Sequence, residues 1–151
     1  ADFSNSMFMT PAQFRNLQVL GPAVFENTDF SEGGWFSASK FNTATFDNAR
    51  FGDAASFTDC EFVGPVSFKR ALFQACCGFE GAQFRKSVNL AQVEIDGAAW
   101  FQDVKFAHFP DLASVQVGGG GDFQKLMRSP RVDHQSGNNA QWGRQSCAER
   151  S

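Results

Sequence analysis

The chain has no tyrosine, only two histidines and no uninterrupted hydrophobic run of membrane length, and each lack narrows its possible roles. Without a stretch of about 18 or more apolar residues it does not cross a bilayer as a helix. His108 and His134 stand far apart and match no metal-ligand spacing such as HxxxH, so they read as exposed polar residues. Cys60, Cys76, Cys77 and Cys147 contain no CxxC pair; they read as small buried residues and fix no redox compartment. The glycine run from Gly118 to Gly121 has no Lys-Ser/Thr after it, so it is a turn before the last structural unit rather than a phosphate loop. Outward carboxylates and hydroxyls are evenly spread, with no converging constellation. No catalytic residue, metal ligand or cofactor is therefore expected. The formal charge of −3 is too small to identify a charged partner. The chain opens on Ala1 rather than Met, which fits loss of a targeting segment, with an exported or lumenal location, as well as a trimmed terminus.

What is present is lopsided: 19 of 151 residues are Phe. Ordinary cores mix Leu, Ile, Val and Phe to fill irregular space, so reliance on one aromatic indicates that a single packing niche recurs. Large apolar residues fall at Phe3, Phe8, Phe14, Val19, Phe25, Phe30, Phe36 and Phe41, then onward through Phe46, Phe51, Phe57, Phe62, Phe68, Phe73, Phe79, Phe84, Leu90, Ile95, Phe101, Phe106, Leu112, Val117 and Phe123. Steps alternate between five and six residues. Eighteen of the phenylalanines sit on this grid and only Phe109 lies off it. A helix of period 3.6 cannot hold such positions on one face, and a plain strand alternates every second residue. A repeating corner is required.

Two residues before each centre the side chain is usually small, as at Ala23, Thr28, Gly34, Ser39, Ala44, Ala49, Ala55, Cys60, Ala71, Cys77, Ala82 and Ala99. Residues two apart on an extended segment share a side, so the small and the large residue both point inward. This pairing resembles the pentapeptide-repeat family, and the resemblance covers residues 1–123. It implies an all-β fold, a right-handed quadrilateral β-helix of about six coils, with an irregular polar tail over residues 124–151 docked on the solenoid or on a partner. Grouping the centres in fours puts every six-residue step at the same two corners, entering face 1 or face 3, with Phe41 to Phe46 as the single short step. The face 1 column then reads Phe3, Phe25, Phe46, Phe68, Leu90 and Leu112. The face 3 column reads Phe14, Phe36, Phe57, Phe79, Phe101 and Phe123. At a strand spacing of ~4.8 Å such coils make a rod on the order of 25–30 Å long with a filled interior. Function is then expected on the faces or at the ends.

On the faces, Trp35 and Trp100 occupy the same outward column three coils apart, and Val24 and Leu72 are further outward apolar residues. Tryptophan anchors many interfaces, so these four are candidate protein-contact residues; the alternative is that each indole is covered by the protein's own loop or tail. At the start, Phe3, Phe8 and Phe14 form a coil with no cap, which is expected to abut another subunit, a second copy or a missing cap. In the tail, Trp142 is the largest apolar anchor. Residues 1–123 carry 14 acidic and 8 basic residues, whereas 124–151 carry 2 and 5. Some relatives mimic duplex DNA and bind topoisomerases, but Lys40, Arg50, Lys69, Arg70, Arg85, Lys86 and Lys105 break the acidic rows that this needs. The reading is a non-catalytic structural or adaptor protein with protein partners. No direct nucleic-acid contact is expected. The resemblance adds an accessory-subunit role in a larger complex, such as a membrane-associated or photosynthetic one.

Overall fold

The computed structural model describes residues 1–128; the expectations for Trp142, His134, Cys147 and the tail beyond Arg128 lie outside them. Every described strand pair is parallel and joins one coil to the next. On face 2, Phe8 pairs with Phe30, then come Phe51, Phe73, Ile95 and Val117, each one coil further along. Six strands stack on face 2 and five on face 3. Faces 4 and 1 merge into one sheet because two longer strands, Gln18–Val24 and Lys40–Thr45, run around the corner between them. The second of these holds the short step from Phe41 to Phe46. Without the extra corner residue the backbone stays extended, and the mismatch with the preceding coil is taken up by a shift between Val19 and Pro22.

The phenylalanines stack as the columns require. On face 3, Phe14, Phe36, Phe57, Phe79 and Phe101 follow one another with ring centroids 4.9–5.2 Å apart and planes within 10°. Faces meet across the interior edge to face, as in Phe46 against Phe57 at 5.2 Å and 84°. This combines parallel stacking within a column with T-shaped contact between columns, the two arrangements that the ring quadrupole favours when rings are offset. Phe25, Phe36, Phe46, Phe57, Phe68, Phe79 and Phe101 are all at most 3% exposed and lie in one hydrophobic cluster. Phe109, the off-grid ring, is half-buried against Phe106.

The small inward residues also bind the neighbouring coil. The Thr28 hydroxyl donates to the Phe3 carbonyl at 2.7 Å, the Ser39 hydroxyl to the Phe14 carbonyl at 2.6 Å and the Cys60 thiol to the Phe36 carbonyl at 2.9 Å. The Phe3 and Phe36 carbonyls also accept from the Ser6 and Ser39 N–H groups at 3.1 and 3.3 Å, so there the side chain fills a second acceptor position of the corner carbonyl. Burial pushes the Cys60 thiol up to about 12 and the Cys77 thiol well above its ordinary value, so both stay protonated and unreactive at neutral pH. Two of the six-residue corners hold a Gly-Pro pair, Gly21-Pro22 and Gly64-Pro65, and the five-residue corners turn through a left-handed residue two places after the centre. Asn5, Asn27, Asn48, Arg70 and Gln92 do so after face 1, and Asn16, Ala38, Asp59, Gly81 and Asp103 after face 3.

One element departs from expectation. The pattern of inward residues ends at Phe123, and residues from 124 onward are polar, so an irregular segment was expected there. Instead Phe123–Arg128 is a short helix with Leu126 fully buried. It closes the C-terminal end of the solenoid by laying Leu126 on the core. Lys125 and Arg128 in its last turn complement the helix dipole. Among the described residues no helix is long and apolar enough to cross a membrane.

Candidate functional site

The two ends of the rod differ. The helix and Leu126 seal the C-terminal end, whereas coil 1 presents its rings to solvent: Phe3, Phe8, Phe14 and Val19 are only half-buried. Their lower faces stack normally, with Phe3 on Phe25, Phe8 on Phe30 and Phe14 on Phe36, each at 5.1 Å and within 8° of parallel. Coil 1 is thus built like every interior coil but is paired on one side only. The strands Met7–Phe8 and Ala12–Gln13 and the first part of Gln18–Val24 leave a backbone edge unpaired, whereas the Val24 end is bridged by Asp2.

Four exposed apolar side chains of this coil, three at outward positions and Leu17 at an inward one, were missed by the sequence reading. Met7, Met9, Leu17 and Leu20 are 63%, 75%, 40% and 76% exposed, four of the five large exposed apolar residues among those described. The signal was available from a comparison of equivalent positions. Where coil 1 has Met7 and Met9, the next coil on the same face has Asp29 and Ser31; where it has Leu20, the next has Asn42. Leu17 fills the place taken by Ser39, Cys60 and Ala82 in later coils. This concentration of exposed apolar side chains therefore marks coil 1 off from the rest of the rod.

The face residues are arranged differently from expectation. Trp35 and Trp100 do lie on face 3, but each is only 8% exposed, so they are not projecting anchors. Part of the reason is local. The Trp35 ring folds back over Gly33, where an added Cβ would stand 3.1–3.2 Å from the indole, and the Arg15 guanidinium lies 5.9 Å from the ring centroid. Gly33 has φ +89° and approaches the Ala54 carbonyl, a combination open only to glycine. Val24 and Leu72 are half-buried and belong to faces 1 and 2, so the four candidates do not form one patch.

Charged residues on the faces pair with each other. Arg50 Nη1 donates to both carboxylate oxygens of Asp29 at 2.8 and 2.9 Å on face 2. On face 4, Glu61 stands between Lys40, at 3.1 Å, and Arg85. Hydrogen bonds from Lys40 and Arg85 hold the Glu61 carboxyl below its ordinary range. Both rows are thus neutralised locally rather than continuously acidic.

Comparison with known proteins agrees with the geometry. A family model described as Pentapeptide repeats (9 copies) matches residues 3–50 and again residues 46–93. No curated protein matches the chain. A match over more than half of the sequence, on a structure with four stacked inward columns and parallel coils, gives the assignment: the chain belongs to the pentapeptide-repeat family.

Proposed function

We propose that this chain is a non-catalytic structural or adaptor protein that docks through its N-terminal coil, and that the surface docked there is the same coil of a second copy. The observation that carries the reading is the concentration of exposed apolar side chains on one coil whose interior twin stacks on the same rings at 5.1 Å. A coil of identical shape is the surface these rings already fit, and end-to-end stacking would continue the Phe columns and cover the open strand edge. The filled interior supports a non-catalytic role, because stacked rings take the space in which a substrate would have to sit. Locally paired charges on faces 2 and 4 favour this reading over a duplex mimic, which requires continuous negative rows. Membership of a larger assembly, as an accessory subunit, extends the same reading and rests on the family resemblance.

Sedimentation velocity tests it. The chain should sediment at twice its 16.6 kDa mass, and Met9→Lys combined with Leu20→Lys should return it to the single-chain mass with an unchanged circular-dichroism spectrum. A single-chain mass for the unaltered protein at tens of micromolar would remove the self-docking reading.

A further inference from the structure

Face 4 gathers basic charge on an otherwise acidic rod. Its stretches, residues 18–21, 40–43, 61–64, 83–86 and 105–108, hold Lys40, Arg85, Lys86 and Lys105 against the single carboxylate of Glu61. That is half of the 8 basic residues in 1–123 and one of the 14 acidic ones, so the other faces and corners keep 4 basic and 13 acidic side chains. Segregation of this kind gives one side of a net-negative molecule a positive field, which the formal charge of −3 conceals.

The field is strongest in the C-terminal half of the face. Lys40 and Arg85 share the one carboxylate of Glu61, which offsets only part of their charge. Lys86 and Lys105 are exposed and have no ion-pair partner among the described residues. Between coils 4 and 5 the face opens into a groove of about 410 Å³, lined by Gln83 and Arg85 from one coil and Lys105 and Ala107 from the next. A change of size along one column accounts for it: Val63, then Arg85, then Ala107, each one coil further on. The methyl group of Ala107 leaves open the space that a longer side chain would fill. The result is a recess on the outside of a filled solenoid, bordered by two cations from different coils.

We propose that this groove and the cations around it bind an extended acidic segment of a partner protein, whose carboxylates reach Arg85, Lys86 and Lys105. The borders of the face select a narrow ligand. Asp59 and Asp103 stand exposed at the corner that leads into face 4, and Glu61 lies within it. A bilayer or a nucleic-acid duplex would press its phosphates onto these carboxylates as well, whereas one extended chain covers only the strip beside them. Nor does this end offer an apolar anchor for a bilayer, since the exposed large apolar side chain of face 4 is Leu20, in coil 1. Glu61 acts as an internal competitor, because an incoming carboxylate must share Arg85 and Lys40 with it. The site lies away from the first coil. A copy docked by coil 1 therefore keeps this groove available, and an adaptor has two surfaces of different chemistry, apolar at one end and cationic along one face.

An oligoglutamate peptide of about ten residues is the probe, long enough to pass the ~14 Å, three coil spacings, between Lys40 and Lys105. Fluorescence anisotropy of the labelled peptide with the full chain at low salt should show saturable binding that weakens as salt is raised. Arg85→Glu combined with Lys105→Glu should weaken it at least about tenfold. Lys69→Glu combined with Arg70→Glu makes the same change in net charge at the exposed corner between faces 1 and 2, and should alter binding by less than about twofold. Glu61→Gln, which releases Lys40 and Arg85, should strengthen binding about threefold. Loss of an exposed ion pair costs the fold little, so this variant tests the site even if a charge reversal fails to fold. Absence of saturable binding overturns the proposal. So does a loss from the Lys69 and Arg70 reversal as large as that from Arg85 and Lys105, or an affinity unchanged by Glu61→Gln. Tighter binding of phosphatidylglycerol vesicles or of a short DNA duplex through Arg85 and Lys105 also overturns it, and identifies a membrane or a nucleic acid as the partner instead. The sedimentation mass that tests coil 1 does not depend on any of these outcomes.

Discussion

Each central phenylalanine touches rings above, below and across the interior, so its loss is felt in several coils at once. Phe57 is fully buried, stacked on Phe36 at 4.9 Å and Phe79 at 5.1 Å, with Phe46 and Phe68 edge-on at 5.2 Å. Phe57→Ala should destabilise the chain by about 3–5 kcal/mol in urea titration, because neighbouring coils cannot collapse into the gap. The corner residues make an opposite prediction. Ala38 has φ 58°, a conformation that costs an alanine about 1–2 kcal/mol and a glycine almost nothing. Ala38→Gly should therefore raise stability by up to about 1 kcal/mol, after the greater chain entropy that glycine loses on folding. Asn48→Ala, at φ 60°, should lower it. The phenylalanine grid was legible because period and burial are the same fact in a solenoid. The burial of Trp35 and Trp100 was not, since an outward residue's cover belongs to no repeat.

At the scale of elements, the six-residue corners were readable from the spacing of the ring centres, but the helix Phe123–Arg128 was not. Six residues are too few to show a helical period, and Leu126 is its single fully buried contact. The carbonyl of Asp122 accepts the first helical hydrogen bonds, from Lys125 and Leu126, while its side chain turns back to coil 5. Burial raises the Asp122 carboxyl to about 6, and this outweighs the Phe101 N–H and Lys125, which pull it down. A raised carboxyl favours the neutral form in the folded chain. Its contribution is therefore complete below the unfolded value near 3.8 and is lost as pH climbs through about 6. Asp122→Asn should accordingly be more stable than the parent at pH 8, by an amount on the order of 1–3 kcal/mol, and the gap should close by about pH 4. Thermal melts across that range check it; a gap that widens on acidification would reverse the assignment. Glu61, held down by Lys40 and Arg85, shifts in the opposite sense, so the comparison must be made between the two proteins at each pH.

For the molecule as a whole, nearest-neighbour stacking makes stability a property of position along the rod. Central coils have a partner on both sides, the last coil is closed by Leu126, and coil 1 has one partner and an apolar outer surface. The sequence drew attention to coil 1 through Phe3, Phe8 and Phe14, but not to the exposed Met7, Met9, Leu17 and Leu20, because the count followed the ring centres only. Residue-resolved hydrogen exchange on the intact chain tests this arrangement most directly. Amides of Phe36, Phe57 and Phe79 should exchange slowest, and those of coil 1, such as Phe3 and Phe14, should be protected at high protein concentration and lose that protection on dilution. Central amides that exchange as fast as those of coil 1, or a coil 1 whose exchange ignores concentration, would contradict a solid, stacked rod that docks by its first coil.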